Sequence, residues 1–316
     1  MKLVFCGTPR FAVPTLKALI DAGHDVALAV TQPDRPVGRT QELVAPPVKQ
    51  TAVAAGIPIT QPDKIRTNAE FRARLESSGP DAIVVVAYGR IIPPWMLSLP
   101  RLGCINLHAS LLPKYRGAAP IQWAVAMGEE ITGNTTMLLE EGLDTGPILM
   151  QQALVIRPEQ TALDLFEEMA IGGAPLMVET LERLANGTVV PKPQDHARAT
   201  LARLLEREDG RVNFAEHTAT QIRNRWRGFQ PWPGAFTTLD GKKLIIHKLA
   251  VADVPDVGAS ESLPSGQVVI RDQRIMAACA HNTWIELLEL QLEGKKRLGA
   301  GEFLRGTHLA TGTRLG

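Results

Sequence analysis

The chain has little cysteine, no long apolar run and almost no net charge. Its three cysteines, Cys6, Cys104 and Cys279, are odd in number and widely spaced in 316 residues. They form neither a disulfide framework nor a zinc spacing, and each is expected to serve as a small core residue. No run reaches eighteen apolar residues, so no membrane-spanning helix is expected. Met1-Lys2 leads straight into the short apolar run Leu3-Val4-Phe5-Cys6, which is not the h-region of a signal peptide, and a cytoplasmic protein is expected. With 34 basic and 33 acidic side chains the formal charge is +1. Any nucleic-acid binding must therefore come from local patches. Internal repeats and low-complexity tracts are lacking as well.

What is there is a globular composition, 45% hydrophobic and 21% charged, in a chain long enough for two domains. The first part alternates short apolar runs with helical stretches. Residues 2–7 read as a buried strand and 11–20 as a helix opened by Pro14 and closed by Gly23, with 25–30 as a second strand. Residues 81–87 are apolar on both faces, as an interior parallel strand requires, and 104–108 form another strand end. This spacing predicts a doubly wound parallel sheet with ligands at the carboxyl ends of its strands. A helical region is expected over 161–185, opened by a capping-box pattern at Thr161 and Asp164 and broken near Gly172-Gly173-Ala174-Pro175. The Pro-containing polar stretch that follows reads as a linker. Beyond it a short helix is expected at 221–226. Strand-like runs at 235–239, 243–247, 267–270 and 283–288, separated by turn signals, suit a small antiparallel barrel. The expected organisation is a catalytic domain over 1–188, a linker over 189–205 and a β-barrel domain over 206–316.

Gly7-Thr8-Pro9 follows the first strand but lacks the further glycines of the dinucleotide fingerprint, which argues against a nicotinamide enzyme. Asn106 and His108 are more informative. Their i, i+2 spacing places both side chains on one face of an extended segment, at a strand terminus. Thirty-six residues beyond His108, Asp144 lies in the turn Gly142-Leu143-Asp144-Thr145-Gly146. An amide donor, an imidazole and a carboxylate are the groups needed to pass an acyl or formyl unit between amines. With no Ser or Cys nucleophile among them, the expectation is direct transfer through a tetrahedral intermediate. Asn106 and His108 hold the oxyanion and Asp144 governs the imidazole.

That conjunction resembles the formyltransferase family that uses 10-formyltetrahydrofolate. The likeness rests on Asn106-Leu107-His108, on Ser110-Leu111-Leu112-Pro113 and on the later Asp144. It extends to Val85-Val86-Ala87-Tyr88-Gly89, Gly117-Ala118-Ala119-Pro120-Ile121-Gln122, and Thr31-Gln32-Pro33-Asp34-Arg35-Pro36 with Gly38-Arg39. In the second half it includes Pro231-Trp232-Pro233-Gly234 and Gly294-Lys295-Lys296. The resemblance implies a Rossmann-like catalytic domain followed by an OB-like barrel, with no metal. It implies that Ser110, Leu111, Leu112 and Pro113, with Val86, Tyr88 and Gly89, form the folate site. Asn106, His108 and Asp144 become the catalytic set. It also implies an initiator Met-tRNA as acceptor and 10-formyltetrahydrofolate as co-substrate. A monomer is expected, because no strongly apolar surface segment is evident.

Residues 31–49, with four prolines, are too long for an ordinary connection. In the family this is a loop that meets the tRNA acceptor end, and its cations here are Arg35, Arg39 and Lys49. Arg39→Ala is expected to impair tRNA formylation while leaving folate affinity unchanged; equal damage to both would count against that role. Residues 221–248 hold Arg223, Arg225, Arg227, Lys242, Lys243 and Lys248 against a single acid, Asp240, with Trp226, Phe229 and Trp232 interleaved. Such a face suits an RNA backbone, and Lys295-Lys296-Arg297 adds a second basic cluster. Three alternatives remain open: another amine acceptor such as an amino-sugar nucleotide, hydrolysis of 10-formyltetrahydrofolate, and a non-catalytic RNA-binding protein on the same scaffold.

Overall fold

The computed structural model describes residues 1–38, 41–254 and 263–316. In the first half the strands are β1 (Lys2–Gly7), β2 (Asp25–Val30), β3 (Arg35–Val37), β4 (Glu42–Val44), β5 (Ile59–Thr60), β6 (Ala82–Val86), β7 (Cys104–His108), β8 (Arg116–Gly117), β9 (Ile131–Leu138) and β10 (Ile148–Val155). The helices there are α1 (Val13–Asp21), α2 (Pro47–Ala54), α3 (Ala69–Ser78), α4 (Pro94–Leu97), α5 (Pro120–Ala126) and α6 (Ala162–Ala185). The remainder holds β11 (Leu201–Ala202), α7 (Ala219–Gly228), β12 (Phe236–Leu239), β13 (Lys242–Ala252), β14 (Val268–Arg271), β15 (Arg274–Cys279), β16 (Thr283–Leu292), β17 (Leu298–Gly299) and α8 (Ala300–Gly306).

The chain divides into two compact units. The first comprises 1–121, 131–156 and 164–203; the second comprises 122–130, 157–163 and 204–316. Within the first, seven strands run in the order β10-β9-β7-β6-β1-β2-β5. The five from β7 to β5 are parallel, and β9 and β10 join as antiparallel strands. All five residues of β6 and of β7 are buried, as strands covered on both faces must be. The chain winds outward from β1 to β5 and then returns to β6 and β7, so the direction of winding reverses between β1 and β6. In open α/β sheets that crevice is where ligands bind. Gly7 marks it on β1: a Cβ there would press on the Phe5 ring, Ala12 and the carbonyl of Val86.

α6 is one continuous helix with Pro175 inside it, where an interruption was expected. Tertiary packing outweighs the local breakers. A Cβ at Gly173 would stand 2.6 Å from Leu107 Cδ2, so this glycine lets the helix lie directly against β7. Asn134 Nδ2 donates to the Met169 carbonyl at 2.9 Å and Thr136 bonds Thr180 at 2.8 Å, fastening the helix to β9. Leu107 faces this helix, so the alternating residues Asn106 and His108 face away from it. The antiparallel β9–β10 ladder is equally tight at Gly133, where a Cβ would overlap the Gln152 carbonyl oxygen and touch Leu111. Gly133→Ala is expected to cost about 1–3 kcal/mol, since backbone must move to admit the methyl group. An unchanged unfolding midpoint would show that the ladder yields freely.

The expected linker is partly structured. Lys192 pairs with Ile148 through two backbone hydrogen bonds of 2.8 Å, and β11 pairs in parallel with β8, so residues 189–203 of the expected linker belong to the first unit.

The second unit is built on an antiparallel sheet, order β12-β13-β16-β15-β14, with β17 on β16. Its core gathers Leu244, Ile246, Ile275, Ala277, Ile285, Leu287 and Leu290 with Ile222 of α7 and Phe303 of α8. Among the described residues no ladder joins β12 to β14, so the sheet is open and not a closed barrel. β15 has no counterpart in the sequence reading because Ala277-Ala278-Cys279 are small residues without the β-branching that marks a strand. α7 is capped as its sequence dictates. The Thr218 hydroxyl accepts from Gln221 N–H at 3.3 Å and the Gln221 carboxamide accepts from Thr218 N–H at 2.9 Å. No helix among the described residues is long and apolar enough to cross a membrane.

Candidate active site

β7 ends in the sequence Asn106-Leu107-His108, and the connection from β9 to β10 brings Asp144 to the same place. His108 Nε2 lies 2.9 Å from the Tyr115 carbonyl oxygen. A carbonyl only accepts, so Nε2 carries the proton. Nδ1, the other ring nitrogen, faces Asp144 Oδ2 at 3.7 Å. That same carboxylate oxygen accepts the Gly117 N–H at 2.8 Å. The backbone of 115–117 thus orients both members of the pair. Two non-glycine residues here, Tyr115 at φ 60° and Asp144 at φ 50°, occupy the left-handed region. Such backbone is costly and persists only where the surroundings enforce it.

Asn106 is 9% exposed, and its carboxamide makes no hydrogen bond to any of the described residues. Nearly buried amides are normally paired, because an unmade bond there costs about 1–3 kcal/mol. Asn106 therefore has both donor and acceptor capacity left open among the described residues.

The segment after His108 is rigid and largely satisfied internally. The Ser110 hydroxyl donates to the Lys114 carbonyl at 2.6 Å, and Thr135 Oγ1 donates to the Ser110 carbonyl at 2.6 Å. Leu112 N–H donates to Thr135 Oγ1 at 3.2 Å, and Gln151 Nε2 donates to the Leu112 carbonyl at 3.0 Å. Leu112 is buried, whereas Leu111 and Pro113 are half-exposed and offer apolar surface. At the end of β6, Val86 is buried and the Tyr88 ring points into the core with its hydroxyl unpartnered. Burial pushes that phenol far above its ordinary range. The Tyr88 carbonyl accepts from Thr8 Oγ1 at 3.2 Å and Gln32 Nε2 at 3.1 Å, and Gly89 is exposed. Of these three residues only Gly89 presents open backbone, while Tyr88 serves as scaffold.

The basic residues divide sharply. Arg35, Lys242, Lys295 and Lys296 are exposed. Arg39 lies outside the described residues. Lys49 is tied down: its ammonium donates to both Asp34 carboxylate oxygens, at 2.9 and 2.7 Å, and to Gln61 at 2.8 Å. Those hydrogen bonds hold the Asp34 carboxyl below its usual range. Arg223 is paired with Glu159 at 2.6 Å, and Arg225 donates to the Asp209 carbonyl at 3.0 Å with its guanidinium 5.0 Å from the Phe229 ring centre. Arg227 is 5% exposed and donates to the carbonyls of Arg157 and Gln160 and to Asn224, so it is an interior structural group and not a phosphate ligand. Lys243 is half-buried over the Phe236 ring at 4.0 Å.

Sequence reasoning missed Gln194. It sits in the presumed linker, yet its side chain bonds the carbonyls of Asp144 and Gly146 at 2.8 and 2.7 Å. Nothing in the stretch Val189-Val190-Pro191-Lys192-Pro193-Gln194 signals this, because the contact spans fifty residues.

The doubly wound sheet thus carries a carboxamide and an imidazole at the end of β7, with a carboxylate 3.7 Å from the imidazole. Residues 1–181 match the family described as formyl transferase, and residues 204–308 match the formyl transferase C-terminal domain. The chain belongs to the formyltransferase family. Methionyl-tRNA formyltransferase of Acidobacterium capsulatum is 63% identical over 316 residues, covering 100% of both chains. The enzyme of the same name from Koribacter versatilis is 53% identical, covering 100% of this chain and 99% of its own. Among solved structures, the N-formyltransferase from Helicobacter canadensis, in complex with folinic acid and dTDP-3-aminofucose, matches with a TM-score of 0.65 at 19% identity. It covers 91% of this chain and 98% of that one, and the likeness is one of fold.

Proposed function

We propose that this enzyme transfers the formyl group of 10-formyltetrahydrofolate to the α-amino group of methionine on initiator Met-tRNA, in the cytoplasm. The observation that carries the reading is the Asn106 carboxamide, without a hydrogen-bond partner among the described residues, on the strand that carries His108, whose Nδ1 faces Asp144. A formyl carbonyl supplies an acceptor for the Asn106 amide. As the amine adds to the formyl carbon, the carbonyl oxygen gains charge and Asn106 stabilises it as a hydrogen-bond donor. The nitrogen that attacks must lose a proton, and His108 Nδ1 is the free base positioned to take it. Asp144 stabilises the imidazolium that results. The same proton then serves the departing nitrogen of the donor as its bond to the formyl carbon breaks. No covalent enzyme intermediate is required.

The apolar surfaces of Leu111 and Pro113 and the open backbone at Gly89 support a planar folate ring at this site. Full-length relatives of 63% and 53% identity bearing the name methionyl-tRNA formyltransferase support the tRNA acceptor. Exposed Arg35, Lys242, Lys295 and Lys296, with Arg39, are the cations we assign to phosphate contacts. The decisive experiment supplies purified enzyme with 10-formyltetrahydrofolate and, in parallel, Met-tRNA, an amino-sugar nucleotide or buffer alone. Formyl-Met-tRNA is the expected product. Turnover confined to the sugar nucleotide or to water would overturn the acceptor, and turnover in none would leave only RNA binding.

A further inference from the structure

Gln194 is buried, and each end of its carboxamide makes two hydrogen bonds. Nε2 donates to the Asp144 carbonyl at 2.8 Å and to the Gly146 carbonyl at 2.7 Å. Oε1 accepts from Arg116 Nε at 3.1 Å and from Arg116 Nη2 at 2.7 Å. Arg116 is itself buried, and Nη2 also lies 3.1 Å from His196 Nδ1. Its neighbours in the chain are Tyr115, whose carbonyl holds His108, and Gly117, whose N–H holds Asp144. A closed ring of contacts results. It runs from the Asp144 carboxylate through Gly117, Arg116 and the Gln194 carboxamide back to the Asp144 carbonyl. The pairing of β8 with β11 fixes the backbone of that ring.

The ring acts on a turn that needs support. Asp144 adopts a left-handed conformation, which Asp enters more readily than most L-residues but still at a cost relative to extended or helical backbone. One planar amide that grips the carbonyls of both Asp144 and Gly146 prevents the turn from relaxing, and the bidentate guanidinium prevents the amide from rotating. We propose that Gln194, itself oriented by Arg116, is a positioning residue that holds Asp144 where its carboxylate faces His108 Nδ1. The proposal rests on the reading of Asn106, His108 and Asp144 as the catalytic set. Gln194 touches no reacting atom; its direct bonds are to the turn that carries Asp144 and to Arg116.

The test is steady-state formyl transfer from 10-formyltetrahydrofolate to Met-tRNA by the full-length chain. It compares wild type, Gln194→Ala, Gln194→Glu, Asp144→Asn and the double variant Asp144→Asn with Gln194→Ala. Gln194→Glu retains an acceptor for Arg116, which preserves the fold, but loses both donors to the turn. For both Gln194 variants kcat is expected to fall about 10- to 100-fold, as sub-ångström misplacement of a catalytic group does, with KM for each substrate within about threefold of wild type. In the Asp144→Asn background the same Gln194→Ala change is expected to cost less than about threefold, because the group it positions has already lost its charge. An undiminished loss in that background would assign Gln194 a general structural role and overturn the proposal. So would a loss confined to KM, or wild-type kcat in both single variants. Failure of the wild-type enzyme to formylate Met-tRNA would instead overturn the functional reading, so the two failures are distinguishable.

Discussion

Asn106→Ala is expected to lower kcat by about 10²–10³, equivalent to about 2.7–4 kcal/mol of transition-state stabilisation, with KM for both substrates nearly unchanged. The reason is geometric. The carboxamide has no hydrogen bond among the described residues, so its removal breaks nothing in the resting fold. A side chain that contributes little to the folded enzyme and much to a developing oxyanion shows its whole effect in turnover. The truncation is expected to leave the thermal unfolding midpoint within a few degrees of wild type. A decrease in activity of less than tenfold, in protein that remains folded, would remove Asn106 from the mechanism. A rise in KM with kcat intact would mean that the amide binds the ground-state carbonyl as tightly as the oxyanion.

The second large effect is expected for Asp144→Asn, a loss of about 10²–10⁴ in kcat. This substitution isolates charge. Asparagine tolerates the left-handed backbone of position 144 as well as aspartate does, and its amide oxygen can still accept the Gly117 N–H. What disappears is the carboxylate beside His108 Nδ1, and with it the stabilisation of the imidazolium that forms when the amine gives up its proton. Since Nε2 is committed to the Tyr115 carbonyl, the ring has no second orientation in which to find another counter-charge. Retention of more than a tenth of wild-type kcat would show that His108 does not carry the proton, or that solvent replaces Asp144.

The legible and illegible parts of the site differ in the range of the interactions behind them. Asn106 and His108 could be paired from sequence because a strand alternates with period two, and the apolar run at 81–87 announced a buried parallel strand and 104–108 a strand end. Asp144 could be nominated from its glycine-flanked turn but not brought within 3.7 Å of His108, since that distance depends on how the connection between β9 and β10 folds. Gln194 was invisible for the same reason at greater separation. The basic stretch 221–248 misled in one respect. Composition shows how many cations are present but not which carbonyls they meet, and Arg227 spends its donors inside the second unit.

Local chemistry in the chain determined four of the five parallel strands (β1, β2, β6 and β7), a helix near 221–226, the shared face of Asn106 and His108, and a candidate acid at position 144. These depend on backbone periodicity and on neighbours a few residues apart. Only the tertiary structure decided that α6 runs unbroken through Pro175, that the C-terminal sheet is open among the described residues, and that the segment before residue 203 belongs to the first unit. It alone decided that His108 Nε2 meets the Tyr115 carbonyl, that Asn106 has no hydrogen-bond partner among the described residues, and that Gln194 bonds the Asp144 carbonyl. Each of these depends on a donor and an acceptor that the sequence separates and the fold brings together.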